Sequence, residues 1–259
     1  CKTKAMTIAA IIPARMASSR LPGKPLKSIL GLSMIEHVRR RVNLCEAIDD
    51  VIVATCDQEI IDEVEKYGGK AVMTSNSHES CIDRVAEAAS RLKANIIINV
   101  QGDMPLVDPN SLLALAQPLL QDENIHYTDM IASIVEESEI NNANVVKVVS
   151  SLSMYAMYYS REPIPSPRKF PDQKIHYYKQ LGINAFRRCS LKKFTNLSMS
   201  PLETIESIDM NRLLENELNI KLILTDAVTV GVDTVEDLIM VREIMDKDST
   251  FYNYKDSIY

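Results

Sequence analysis

The 259-residue sequence predicts an α/β fold: one domain with a mostly parallel sheet, interrupted by an antiparallel insertion at roughly 130–200. Three observations lead there. From residue 6 to about 120, short apolar runs alternate with helix-period segments, the pattern of strand–helix–strand crossovers. From about 128 the alternation stops, and strand-like runs follow one another without long helices between them. Beyond about 190 the helix period returns. The length suits one large domain or a domain with a sizeable insertion. No internal repeat or low-complexity segment interrupts it.

The elements follow in order. Residues 6–12 (MTIAAII) read as a strand buried on both faces, and 32–44 has helical apolar spacing at 34/35, 38 and 42. DVIVAT (50–55) is a second buried strand, followed by a helix over 59–69 that Gly68-Gly69 stops. KAVMT (70–74) is a strand, 83–93 a helix, and NIIINV (95–100) the most apolar strand of the chain. Asp108-Pro109 reads as an N-cap with a first-turn proline, opening a helix through 120. TDMIASIVEE, NVVKVVSS and MYAMYYSR are then successive strands, and the proline-rich REPIPSPRKFPDQK is a loop. GINAFRR resumes as a strand. SLKKFTN and residues 201–217 are helical, IKLILTD and AVTVGVD are strands, and 234–247 is the last helix.

Composition narrows the function. Hydrophobic content of 46% with 25% charged residues is that of a soluble globule, and a net charge of -6 argues against diffuse attraction to nucleic acid or anionic membrane. Any cation cluster must therefore act locally. The five cysteines, at 1, 45, 56, 81 and 189, form no C-x-x-C pair, which reads as reduced, cytoplasmic cysteine without structural zinc. Lys2 and Lys4 before the apolar stretch 5–14 faintly resemble a secretory signal, but the stretch is short and contains Pro13. No run approaches the 18 apolar residues of a membrane span.

Three stretches can carry chemistry. IIPARMASSRLPGKPL (11–26) places Arg15, Arg20 and Lys24 directly after a buried strand, where open α/β sheets bind ligands. Turn amides and these cations can hold phosphate oxygens, and Pro22 and Pro25 preset the loop. NVQGDMPLVDP (99–109) ends a strand in Gln101-Gly102-Asp103; Asp103 can hold Mg2+ or can simply form a turn. In TVGVDTVEDL (229–238) Asp233 either caps a helix, with Glu236 three residues on, or shares a cation with Asp103. In HESCIDRVAEA (78–88) Ser80 caps a helix, His78 reads as an ordinary loop histidine and Cys81 as structural. YYKQLGINAF (177–186) and SPLETIES (200–207) either line a sugar pocket or cap their elements, the second as an S-x-x-E start with proline at the first helical position.

From Ile11 to about Met245 these stretches, with VIVAT and YYSREPIP, resemble in order the motifs of the CMP-Kdo synthetases, the 3-deoxy-manno-octulosonate cytidylyltransferases. The resemblance implies a Rossmann-like nucleotidyltransferase fold and a cytoplasmic homodimer built largely through the insertion. It implies that Lys24, Asp103 and Asp233 are catalytic, and that Mg2+ is held by Asp103 and Asp233. CTP would lie on Ala14, Arg15, Ser19, Arg20, Lys24, Thr74, Ser80 and Gln101. A Kdo-like sugar acid would meet Arg84, Gln101, Lys179, Gln180, Asn184, Glu203 and Glu206. Its anomeric hydroxyl would attack the α-phosphorus, and pyrophosphate would leave. The activated sugar would feed surface polysaccharide or lipopolysaccharide synthesis.

The chain departs from the family pattern unevenly. The phosphate and metal stretches are largely kept. Cys56 stands where the family has Asp, Cys81-Ile82 where it has Gly-Thr, and Lys179, Gln180 and Asn184 where it has Arg, His and Tyr. Arg to Lys loses the bidentate fork for a carboxylate, and the other changes alter the hydrogen-bond inventory. These departures predict that a close relative of Kdo is preferred over Kdo itself. The alternatives are a cytidylyltransferase for another modified or nonulosonic sugar acid, and a nucleotide-binding protein without catalysis.

Overall fold

The structure, a computed structural model, describes residues 6–18, 20–78, 80–169 and 175–255. Its backbone divides into two compact units: Cys1–Leu113 with Ala227–Tyr259, and Ala114–Asp226, which contains the stretch 130–200.

The first unit starts with β1 (Ile8–Ala14), every residue of which is buried. A 3-10 turn at Lys24–Leu26 and a two-residue hairpin, β2 (Ser28–Ile29) with β3 (Leu32–Ser33), lead into α1 (Met34–Asn43). β4 (Asp50–Thr55), α2 (Gln58–Lys66), β5 (Lys70–Met73), α3 (Cys81–Ser90) and β6 (Ile96–Asn99) follow in the alternation the sequence predicts. β1 pairs in parallel with β6 on one side and β4 on the other, and β5 extends the sheet beyond β4. All four strand ends therefore point one way, and the loops after β1 and β6 emerge side by side. α4 (Pro109–Gln121), within which the division falls, starts as expected: the Asp108 carboxylate accepts from the Ser111 N–H at 2.9 Å.

The second unit is built around β7 (Tyr127–Ser133). A short helix α5 (Glu137–Ile140) precedes β8 (Lys147–Ser150), β9 (Ala156–Ser160) and β10 (Tyr178–Arg187). The pairings β7/β10, β10/β8 and β8/β9 are antiparallel, as expected for the insertion. β10 begins four residues before the predicted start, because Tyr178 to Gln180 already pair with β7. α6 (Arg188–Thr195), α7 (Pro201–Glu206), α8 (Met210–Glu215) and β11 (Lys221–Leu224), parallel to β7, complete it. The single helix expected over 201–217 is broken in two. Ser207 takes a left-handed φ of 55°, which ends α7.

The chain returns to the first unit through 227–233. The strand expected there is absent: Val232 N–H donates to the Asp103 carbonyl at 2.9 Å, and no ladder forms. α9 (Val235–Met245) and α10 (Ser249–Tyr252) follow. Leu21, Leu106 and Val232, one from each chemistry-bearing loop, are buried in a single cluster with Met34, Leu238, Val241, Met245 and Phe251. Burying side chains of this size contributes about 1.5–3 kcal/mol each. That apolar block fixes the loops whose polar neighbours form the site. No helix among the described residues is long and apolar enough to cross a membrane.

Candidate active site

In the first unit the loop after β1 carries the cations. Its path is set by backbone bonds: Met16 N–H donates to the Asp57 carboxylate at 2.7 Å, and Gly23 N–H to the Met16 carbonyl at 3.2 Å. Gly23 has a φ of 67°, a left-handed conformation that favours glycine, and the following 3-10 turn starts at Lys24 with Pro25 behind it. The turn delivers the Lys24 ammonium to a point where two carboxylates meet. Its Nζ lies 2.7 Å from Asp103 Oδ2 and 3.0 Å from Asp233 Oδ1. Arg20 Nη2 reaches the other Asp233 oxygen at 2.9 Å. Burial works against the charge on Lys24, but the attraction and hydrogen bonds of Asp103 and Asp233 outweigh it and hold its pKa above the ordinary lysine value.

Asp103 arrives there because Gly102 lets the backbone pass under β1. A Cβ on Gly102 would stand 2.8 Å from the Pro13 carbonyl oxygen and 3.2 Å from Ala14 Cβ. Asp233 arrives because it does not cap α9. The N-cap is Thr234, whose hydroxyl accepts from Asp237 N–H, while the Asp237 carboxylate accepts from the N–H groups of Asp233 and Thr234 at 2.9 Å. The expected Asp233/Glu236 cap is thus displaced by one residue to Thr234/Asp237. That leaves the Asp233 carboxylate outside the helix and available to cations.

These groups line a cavity of about 680 Å³, together with Ala14, Arg15, Ser80, Arg84 and Gln101. Arg15 is exposed and has no ion-pair partner among the described residues. Arg84 is 4% exposed, and its guanidinium donates to the Thr74 hydroxyl and the Ser75 carbonyl. Thr74 is thereby tied to the cavity wall. Ser80 caps α3, accepting from Ile82 N–H at 3.2 Å, as the sequence predicts. Four cations (Arg15, Arg20, Lys24, Arg84) face two carboxylates here, so the lining carries a net positive charge. Ser19 lies outside the described residues.

Two contributors escaped the sequence reading. Asp57, whose carboxylate holds the cation loop, follows β4; an aspartate at a helix start after a buried strand was the available signal. His78 lines the cavity and bonds Glu87 through Nε2 at 2.6 Å, although it reads in sequence as an ordinary loop residue. Cys81 also lines the cavity, and among the described residues Cys45, Cys56, Cys81 and Cys189 form no disulfide.

Of the residues read as sugar-side, Arg84 and Gln101 line the cavity of the first unit, and Lys179, Gln180, Asn184, Glu203 and Glu206 lie in the second unit, where most have partners within it. The Lys179 ammonium pairs with Glu139. Gln180 donates to Asp129 Oδ2 at 2.9 Å, alongside the Tyr159 hydroxyl at 2.8 Å. Asp129 is wholly buried, and burial pushes its pKa up to about 7. Asn184, 3% exposed, stands opposite Asp129 in the β7/β10 register, after the irregularity that interrupts the pairing between Gln180 and Asn184. The Glu203 carboxylate accepts from Arg212 Nε at 2.7 Å and from Ser200 N–H at 3.1 Å. Glu206 accepts from the Tyr158 and Ser160 hydroxyls and from Arg161 N–H. Burial alone would raise its pKa, yet these donors hold it below the usual carboxylate range. Glu203 and Glu206 thus tie α7 to α8 and β9.

Comparison with known proteins finds a family model described as Cytidylyltransferase matching residues 9–222. The 3-deoxy-manno-octulosonate cytidylyltransferase of Syntrophotalea carbinolica is 41% identical over 244 residues, covering 92% of this chain and 98% of its own. That of Syntrophus aciditrophicus is 42% identical over 241 residues, covering 92% and 97%. Among solved structures, a CMP:2-keto-3-deoxy-manno-octonic acid synthetase complexed with CTP superposes with a TM-score of 0.88 at 39% identity, covering 93% of this chain and 99% of that one. The fold is a nucleotidyltransferase fold.

Proposed function

Because the chain belongs to the 3-deoxy-manno-octulosonate cytidylyltransferase family, we propose that it transfers CMP from CTP to Kdo and releases pyrophosphate. The observation that carries this reading is the meeting of Lys24, Asp103 and Asp233 in a cation-rich cavity at the carboxyl ends of parallel strands. Arg15, Arg20 and Lys24 bind the triphosphate, with Ala14, Thr74, Ser80 and Gln101 around the nucleotide. At about 4 Å and an effective dielectric near 20, each cation–phosphate pair gains roughly 4 kcal/mol before desolvation. The sugar's anomeric hydroxyl forms its bond to the α-phosphorus as the bond to the pyrophosphate oxygen breaks. Positioning and charge neutralisation supply most of the acceleration of such a displacement.

The donor set fits Mg2+. Two carboxylate oxygens already converge on one cationic point, and Mg2+ takes one or two carboxylates plus substrate phosphates. Asp103 and Asp233 would hold it, and bound there it would neutralise charge developing on the phosphates. Kdo is favoured over a variant acid by the names of the relatives and by the partners of the departing residues. Lys179 and Gln180 are engaged by Glu139 and Asp129, so their change from the family pattern rearranges internal pairs. The residues Arg84, Gln101, Lys179, Gln180, Asn184, Glu203 and Glu206 remain the ones to test on the sugar side.

Pyrophosphate release with CTP, Mg2+ and a panel of sugar acids tests the reading. Kdo should give the highest kcat/KM. A preference of about tenfold or more for another acid would replace Kdo as the substrate, and no release with any acid would leave nucleotide binding alone. We further place the protein in the cytoplasm as a homodimer through the antiparallel stretch. Exposed Met157 and Met199 within that stretch support the dimer, and light scattering in solution checks its oligomeric state.

A further inference from the structure

The Asp233 carboxylate has a cation on each oxygen: Lys24 at 3.0 Å on one and Arg20 at 2.9 Å on the other. Asp103 meets the same ammonium at 2.7 Å. Lys24 is held in this position. Its side chain is only 13% exposed, and its backbone is fixed by the Gly23 turn, Pro25 and the Lys24 N–H bond to the Leu21 carbonyl. Leu21 in turn is buried in the apolar cluster that also contains Leu106 and Val232. The carboxylates are therefore neutralised from within, by a group on a preset loop.

Mg2+ held between the two carboxylates would take these oxygens at about 2.0–2.1 Å. It cannot take them while an ammonium stands between them, because the two cations would repel at contact distance. A triphosphate changes the balance. Its oxygens give Lys24 and Arg20 stronger anions to pair with, and the carboxylates are released.

We propose that Lys24 is a resident counter-ion that keeps divalent cations out of the Asp103–Asp233 pair until a nucleoside triphosphate draws it away. If the site holds CTP as proposed above, the cation and the nucleotide bind as one coupled event. Neither occupies the site well without the other. Lys24 then has two roles in succession: it closes the empty site, and it grips the phosphates in the filled one.

Calorimetric titration with Mn2+, without sugar acid so that no turnover occurs, separates these statements. The parent should bind Mn2+ weakly alone and about tenfold more tightly with CTP present. Lys24→Met should bind Mn2+ alone about tenfold more tightly than the parent and gain little more from CTP. Adding Asp103→Asn to that variant should abolish the gain, which would place the ion at the carboxylate pair. Equal or weaker Mn2+ binding by Lys24→Met, or a parent indifferent to CTP, overturns the inference. A parent that takes up no CTP even with Mn2+ overturns the nucleotide reading itself. Circular dichroism confirms folding of each variant. Should Lys24→Met not fold, Arg20→Gln decides: it frees one oxygen of Asp233, and about a threefold gain in Mn2+ affinity is expected, with no gain counting against the proposal.

Discussion

At the scale of single residues, the site depends on two carboxylates whose backbones are held by different means. Asp103 follows the one residue that can pass under β1, and Asp233 precedes a helix that a neighbour caps. Asp103→Asn and Asp233→Asn should each lower kcat by about 10²–10³-fold. Their melting temperatures should stay close to the parent's, since neither side chain caps a helix or fills the core; steady-state kinetics with thermal melts checks both. Inactivity accompanied by unfolding would contradict the role given to them. Asp129 permits a pH prediction. Its folded pKa of about 7 lies above the unfolded value of about 3.9, so between these the folded protein keeps a proton that the unfolded chain has released. The stability it contributes is complete below the lower value and is lost as pH rises through the upper one. Asp129→Asn keeps an oxygen for Tyr159 and Gln180 but cannot titrate. Its melting temperature relative to the parent should therefore climb between pH 4 and pH 8, by about 5 °C or more. A constant difference across that range would show that the buried carboxyl does not titrate as described.

At the scale of elements, α9 shows how a cap and a functional carboxylate share one short stretch. Thr234 and Asp237 hold the helix start, and Asp237 also takes the N–H of Asp233. Thr234→Ala should cost about 1 kcal/mol, or about 2–4 °C in melting temperature. It should also raise the KM for CTP, because the Asp233 backbone loses a fixed neighbour. A drop in stability with unchanged KM would mean that the cap supports the helix alone. The period of apolar residues places this helix correctly, and the residue types place its cap one residue early. Asp233 and Thr234 are both good caps by type, and only the packing of Val232 into the core fixes which of them enters the first turn. The break between α7 and α8 was invisible for a related reason. Nothing in Glu206-Ser207-Ile208 forbids helix, yet Ile208 is buried and its N–H returns to the Glu203 carbonyl, which requires the left-handed turn at Ser207.

At the scale of the whole molecule, the proposed function predicts linkage between ligand and stability. CTP with Mg2+ at about 100 times its Kd should add about 2.7 kcal/mol to unfolding, a melting shift on the order of 5–10 °C. Inorganic pyrophosphate should give a smaller shift and Mg2+ alone little; a thermal melt with each ligand checks this, and no shift with CTP would count against the assignment of the cavity. The sequence by itself determined the parallel α/β frame, the antiparallel middle and the three loops with chemistry in them. These are recorded locally, in the period of apolar residues and in turn residues such as Pro22, Gly23 and Gly102. The tertiary structure alone decided which side chains meet. Lys24 is 79 residues from Asp103 and 209 from Asp233, and no local pattern spans those distances. They meet because Leu21, Leu106 and Val232 are removed from water into one cluster, and the polar residues of the same loops, Arg20 and Lys24, Asp103, and Asp233, are left facing the same cavity. The same dependence hid Asp57 and the His78–Glu87 pair, whose parts are ordinary in sequence and acquire roles only from the strands that bring them to the cation loop and the cavity wall.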